Sequence, residues 1–201
     1  MVQSPLKNMK EEEKRLTVLL CVLLLKAIFG ILFVSYSNVL LNPDEAQYWL
    51  WSRFLDFGYY SKPPAIAWQI ALGTSFFGST EIGVRIGGII LSFFLSLSTY
   101  YLAKSALLSE KKAFYSSLIL AFCPLGIIAS FLATTDLGFL LFWILSFKEL
   151  CLLINEERPK SFIWLGIFIL LGCLFKWTML LIWPVILVSL LFIPNLRNKR
   201  L

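Results

Sequence analysis

The chain has no histidine, and its four cysteines (Cys21, Cys123, Cys151 and Cys173) all lie inside apolar runs without paired spacing. A structural metal centre needs thiolates or imidazoles at short, regular intervals. A Cys/His site is therefore excluded, and a disulfide framework is not expected. Charge is scarce as well: 15% of the residues are charged and 59% are hydrophobic, against roughly 25% and 45–50% in soluble domains. Aspartate occurs only at positions 44, 56 and 136. Short segments of alternating polarity, the mark of a membrane barrel, are missing too. What fills the chain instead is long apolar runs, giving a mean hydropathy of +0.80.

A helix needs roughly 20 apolar residues to cross a bilayer, and backbone groups in hydrocarbon must be satisfied within the segment. The sequence therefore predicts an all-α integral membrane protein. Residues 1–15 read as a charged cytosolic tail, residues 16–196 as the membrane domain, and residues 197–201 as a basic cytosolic end. Spans are predicted at 16–34, 82–103, 113–133 (kinked at Pro124) and 137–154. Residues 162–193 would make a helix of about 48 Å, too long for a hydrocarbon core of about 30 Å. They read as two short helices meeting at Lys176, which gives six crossings.

Of the 18 basic residues, most fall at the termini and in the segments around 104–112 and 158–160. By the positive-inside rule both ends are cytosolic, and residues 35–80 form an outer loop. The net charge of +6 is then a topology signal, and no nucleic-acid partner is expected. All three aspartates, with Lys62 and Lys176, fall on the outer side.

The outer loop carries "NPDEAQYWLWSRFLDFGYYSKPP", residues 42–64. Pro43 followed by Asp44 and Glu45 reads as a helix start, with acids in the first turn complementing the dipole. Ala46, Trp49, Leu50, Phe54 and Phe57 recur at helical spacing, as in a helix lying in the membrane interface. Gly58 ends it, and a new element follows the prolines. The acids read either as solvated caps of an interfacial anchor or as reactive groups. Lys62 either snorkels to the headgroups or holds a phosphate. Two acids, a lysine, a further aspartate in a tight turn and the isolated Lys176 are the parts that sugar transfer from a lipid phosphate requires. A carboxylate takes the acceptor proton, and cations meet the charge growing on the departing phosphate.

The run from Asn42 through "GYYSKPP" to "FGSTEIGVRIGG" resembles the first outer loop and second span of bacterial GT-C membrane glycosyltransferases. That family includes the lipid A aminoarabinose transferases and the protein O-mannosyltransferases. "LATTDLGFLLFW" is similar to the family's Thr-Pro-Asp turn, with Thr135 in place of proline, and "LGCLFKWTMLLIWP" to its later lysine segment. The resemblance implies a glycosyltransferase that takes sugar from a polyprenyl-phosphate carrier and gives it to an outer-face acceptor: lipid A, a glycan or a protein. It places Asp44 as catalytic base with Glu45 beside it. It assigns Tyr59 and Lys62 to the carrier phosphate, Asp136 to orienting the substrate, and Lys176 to a phosphate contact.

No cofactor is implied. A divalent metal stays open, although Ser61 stands where some relatives carry an acid. Membrane lipid and the lipid-linked sugar are the expected partners, in the bacterial inner membrane. Family members are usually much longer, so the sequence is expected to be a short member, a truncated product, or one half of a split enzyme completed by a second chain. The alternative is a non-catalytic subunit that binds the carrier lipid or serves in assembly. A transporter would be expected to show repeated halves, and none is present. Lys26, mid-span, has no role assigned, and Arg85 reads equally as a salt-bridge partner or a lipid-phosphate contact.

Overall fold

A computed structural model of the chain describes residues 5–37 and 39–192, with side chains described from residue 10 to residue 188. The basic segment 197–201 and the end of the last expected crossing lie outside the described residues. Among the described residues nine α-helices and one 3-10 turn follow in chain order: α1 (Pro5–Tyr36), α2 (Pro43–Ser52), α3 (Ala65–Phe77), α4 (Glu81–Ser105), α5 (Glu110–Phe122), α6 (Pro124–Ser130), α7 (Thr135–Asn155), α8 (Lys160–Cys173), the 3-10 turn Trp177–Leu181, and α9 (Ile182–Phe192). No strand occurs among the described residues. The molecule is an all-α integral membrane protein.

Among the described residues three helices are long and apolar enough to cross a membrane: α1 from Lys10, α4 and α7. The pair α5–α6 makes a fourth if counted as one span broken by 60°. The expected six crossings are therefore corrected to three, or four with the bent pair. The reason is length. The chain does break at Lys176, whose backbone is extended (φ −157°, ψ 128°). Yet α8 has 14 residues and α9 has 11, about 21 Å and 17 Å at the helical rise, short of the hydrocarbon thickness.

The bend at Pro124 follows from proline chemistry. Its ring excludes the preceding helical turn and removes an N–H, and it drives Cys123 to an extended conformation (ψ 154°). Lys26 of α1 lies beside this break, donating to the Ser92 hydroxyl (3.0 Å) and to the Gly126 carbonyl (3.2 Å). A charged group in mid-span is costly unless paired, and these two oxygens serve it.

Helix α4 is the centre of the bundle, packed against α1, α3, α5 and α7, while α8 lies on the far side of α7. Small residues permit the approach, as they do where helices associate in lipid. A side chain at Gly73 of α3 would strike the Gly83 carbonyl of α4 at 2.2 Å, and one at Gly88 would strike the Leu132 carbonyl at 2.6 Å. Leu25 and Phe29 of α1 and Ile163 and Leu170 of α8 are largely exposed, the surface a bilayer would cover.

The two ends of the bundle differ. At one end Lys104 pairs with Glu12 and, at 2.7 Å, with Glu110, which also accepts from the Tyr100 hydroxyl at 2.6 Å. This fastens α1, α4 and α5. Glu12 belongs to the charged segment expected as a cytosolic tail, and α1 runs through it from Pro5. At the other end lie α2, the N-termini of α3, α4 and α7, and the break at Lys176.

Candidate functional site

The site grows from the start of α2. Asn42 and Glu45 form a reciprocal capping box: the Asn42 side chain accepts the Glu45 N–H at 2.9 Å, and the Glu45 carboxylate accepts the Asn42 N–H at 3.1 Å. Pro43 occupies the first turn, where no N–H is needed. Glu45 is fully buried. Its Oε1 accepts from Arg85 Nε and from the Ala133 N–H, both at 2.9 Å, and its Oε2 accepts from Arg85 Nη2 at 2.8 Å. Each oxygen thus accepts two hydrogen bonds, the full capacity of a carboxylate. Arg85 directs two further N–H groups to the carbonyls of Val39 (2.8 Å) and Leu40 (2.9 Å). Burial pushes the Glu45 carboxyl up, but Arg85 and the Ala133 and Asn42 amides outweigh it and hold the group below the usual carboxylate range.

This knot joins four separate stretches: the chain before α2, α2 itself, α4, and the turn that opens α7. Of the two readings of Arg85, the structure realises the salt bridge. Glu45, expected beside the base, points away from solvent with no free lone pair.

Asp44 is the opposite case. Consecutive helical residues point about 100° apart, and Asp44 is exposed, with no hydrogen-bond or ion-pair partner among the described residues. One turn on, Tyr48 is buried with its ring among Ile66, Ile70, Val84 and Ala133. Burial pushes the Tyr48 phenol up, and the charges of Asp44 and Asp136 add to the effect. The charges of two aspartates on different helices thus both act on the Tyr48 phenol. Sequence reasoning passed over Tyr48, although its spacing of four from Asp44 puts both on one face.

Asp136 is exposed in the first turn of α7, and its carboxylate meets Lys176 Nζ at 2.5 Å. The ammonium also lies 6.0 Å from the Phe139 ring centroid. Beside them, the Thr134 hydroxyl is buried without a hydrogen-bond partner among the described residues.

Tyr59 and Lys62 lie beyond the other end of α2. The helix expected to run to Gly58 stops at Ser52, and Tyr59 supplies the cause. Its hydroxyl reaches the Trp51 carbonyl at 3.1 Å and the Phe54 carbonyl at 3.0 Å, closing the helix end. Its ring stacks on Trp51 with centroids 4.8 Å apart, and Trp51 lies 5.5 Å from Tyr48. An aromatic row thus runs from Tyr48 through Trp51 to Tyr59. The Tyr59 N–H donates to the Lys62 carbonyl at 3.0 Å, and the Lys62 ammonium has no partner among the described residues. Within α2, Leu50 is exposed (53%), Trp49 and Trp51 are half-buried against the cluster around Tyr48, and Glu45, Tyr48 and Ser52 are buried. No group of three or more His, Cys, Asp or Glu among the described residues could hold a metal ion.

Residues 61–201 match the sequence profile of the dolichyl-phosphate-mannose-protein mannosyltransferase family. A lipid A galacturonosyltransferase of Rhizobium johnstonii is 31% identical over 173 residues, covering 82% of this chain and 36% of that protein. An undecaprenyl phosphate-α-4-amino-4-deoxy-L-arabinose arabinosyl transferase of Pseudomonas savastanoi is 32% identical over 123 residues, covering 50% of this chain and 23% of that protein. Its namesake in Pseudomonas aeruginosa is 38% identical over 98 residues, covering 42% and 18%. The chain spans about a third or less of the length of these curated relatives. No solved structure matches it.

Proposed function

The chain belongs to the dolichyl-phosphate-mannose-protein mannosyltransferase family, and from that premise we propose that it serves sugar transfer from a polyprenyl-phosphate carrier to an acceptor at the membrane face where α2 lies. The observation that carries the reading is the division of labour between neighbouring acids. Glu45 is consumed by Arg85 in a buried knot, which leaves Asp44 unpaired and open beside Tyr48 and the Asp136–Lys176 pair.

In the proposed step the acceptor hydroxyl oxygen bonds to the anomeric carbon of the carrier-linked sugar. The bond from that carbon to the phosphate oxygen breaks, and Asp44 takes the hydroxyl proton. The carrier leaves as a phosphate monoester, one negative charge richer than the diester it was. Lys62, unpaired, and Lys176, held by a carboxylate it can exchange for phosphate, are the cations available to that charge. Asp136 orients the substrate and Lys176. Glu45 acts as a positioning residue, setting the angle of α2 and thereby of Asp44. The names of the relatives favour lipid A as acceptor and an acidic or amino sugar as cargo.

By the positive-inside rule, the distribution of Lys and Arg supports placing this face outside the bacterial inner membrane. The alternation of contacts supports that topology. α2, Ala133 and Lys176 gather at one end, and Glu12, Lys104 and the Asn155–Ser105 hydrogen bond (2.9 Å) at the other.

The test is transfer of radiolabelled sugar from undecaprenyl-phosphate-linked aminoarabinose, and from the galacturonate analogue, in membranes holding the wild-type or the Asp44→Asn protein. Transfer by the wild type that is lost in Asp44→Asn is the expected result. Equal transfer by both removes Asp44 as base. No transfer by a wild type that still binds undecaprenyl phosphate makes the chain a carrier-binding subunit.

A further inference from the structure

Lys26 takes no part in the site described above, although a charge in mid-span is costly and marks a role that a neutral residue would not fill. We propose that Lys26 is a positioning residue for the outer end of the bundle. It holds α6 in place and, through α6, the turn of residues 131–136 that carries the Ala133 amide and Asp136. What the turn serves rests on the sugar-transfer reading above; that Lys26 holds it does not.

α6 needs such a hold. It has seven residues, bent by 60° from α5 across Pro124, and a helix of that length does not persist by itself. Gly126, in its first turn, packs so closely on the end of α5 that an added side-chain carbon would meet the Leu120 carbonyl at 2.0 Å. The Lys26 ammonium reaches the carbonyl of this same residue at 3.2 Å and also donates to the Ser92 hydroxyl of α4 at 3.0 Å. One cation thus ties α1, α4 and α6 together where the span is broken.

The same face of α1 meets the other end of α6, since residues 26, 30 and 33 recur at helical spacing. A side-chain carbon on Gly30 would stand 3.3 Å from the Phe131 ring, and the Phe33 ring lies 5.0 Å from it between centroids. The space between Lys26, Gly30, Ser92, Ser130 and Phe131 is only about 10 Å³, enough for about one water. α6 therefore has little slack between its two holds. From Phe131 the chain passes straight into the site. The Leu132 carbonyl rests on Gly88, the Ala133 N–H donates to Glu45 at 2.9 Å, and Asp136 meets Lys176.

Hydrogen-exchange mass spectrometry on the full chain in nanodiscs reads the turn directly, with sugar transfer measured beside it. Lys26→Met is expected to speed exchange of residues 131–136 by about tenfold, the order that a hydrogen bond to a charged group is worth. The rest of α4 and α7 should stay as protected as in the wild type. The unfolding temperature should stay level or rise, because a charge leaves the hydrocarbon. Transfer should fall by about tenfold or more, mainly in kcat, with the KM for the carrier changed less because Lys62 lies outside the turn. Lys26→Gln, the second variant should Met disturb folding, is expected to show the same local change in smaller measure. Ser92→Ala leaves the Gly126 contact and is expected to leave exchange at 131–136 unchanged.

Unchanged exchange at 131–136 in both Lys26 variants overturns the proposal, whatever transfer does. Faster exchange over the whole bundle with a lower unfolding temperature makes Lys26 a structural group and overturns it as well. If Ser92→Ala loosens the turn as much as Lys26→Met, the hold runs through α4 and the assignment to α6 is overturned. A wild type that transfers no sugar overturns the sugar-transfer reading alone, and the exchange result still decides whether Lys26 holds the turn.

Discussion

Two acids adjacent in sequence sit in two different regions of this protein. Glu45 lies in a buried knot where each carboxylate oxygen accepts two hydrogen bonds, and Arg85 is held by Glu45 and by the carbonyls of Val39 and Leu40. Asp44, about 100° around the same helix, lies in an open region whose groups are half-satisfied: the exposed Asp136–Lys176 pair, the phenol of Tyr48 and a buried Thr134 hydroxyl with no partner among the described residues. The difference teaches how the molecule divides order from reactivity. The knot fixes α2 against α4 and the α7 turn, while Asp44, Asp136 and Lys176 stay outside it at the same end of the bundle.

The largest expected effect lies on the open side. Asp44→Asn should reduce sugar transfer by about 10²–10⁴-fold, the usual worth of a positioned general base, while leaving thermal unfolding in detergent unchanged. A matching fall in unfolding temperature would mean that Asp44 belongs with the knot, and the comparison would dissolve.

The knot should answer in the opposite currency. Glu45→Ala or Arg85→Ala leaves a buried charge without its partner, a loss of about 3–5 kcal/mol, measurable as a large drop in unfolding temperature. Replacing both at once by Leu and Met should cost less than either single change, because no charge is then stranded. The pH dependence has a definite sign. The folded state holds the Glu45 carboxyl below its ordinary value, so the stabilisation is complete above the unfolded pKa of about 4.3. It is lost as pH falls through the lower folded value. Stability that stays level down to about pH 4.3 and then declines is expected in the wild type, and Glu45→Gln should remove that component of the decline.

Third comes the ion pair. Lys176→Met and Asp136→Asn should change stability by less than about 1 kcal/mol, because the pair is exposed and screened (54% for Asp136, 30% for Lys176). Transfer should still fall by roughly tenfold or more if these groups meet the substrate. A stability loss as large as that of Glu45→Ala would place the pair among the structural groups.

How much of this could be read from the sequence follows from the range of each interaction. The membrane class, the break at Pro124 and the interruption at Lys176 depend on neighbouring residues, and local chemistry fixes them. The start of α2 was equally legible, since Asn-Pro-Asp-Glu carries its own capping box. Its end was not. Tyr59 closes the helix at Ser52 from seven residues away, through a ring stack and a hydroxyl that no periodicity encodes. Span number was over-counted because hydropathy measures apolar length without regard to where a helix stops. The pairing of Asp136 with Lys176 and of Glu45 with Arg85 joins positions 40 apart in both cases. Sequence could name three of these four as site residues and Arg85 as a salt-bridge candidate. It could not say that Glu45 faces inward while Asp44 does not, because that depends on the rotation of α2 against α4.

The smallest effect probes the border between the two regions. Tyr48 packs in the core beside the knot but turns its phenol towards the open carboxylates, so its titration reports whether Asp44 and Asp136 do converge. Burial raises the phenol above its usual value of about 10, and the two aspartates raise it further. In a difference ultraviolet titration of wild type against Tyr48→Phe, the tyrosinate band assigned to Tyr48 should therefore emerge at higher pH than the bands of exposed tyrosines. Asp44→Asn and Asp136→Asn should each move it part of the way down, because each removes one negative charge that opposes ionisation. Neither should restore the ordinary value, since burial is the larger cause and survives both substitutions. A band moved by Asp44→Asn but not by Asp136→Asn would leave Tyr48 as a neighbour of α2 alone. The two aspartates would then be separate groups sharing one end of the bundle rather than one site.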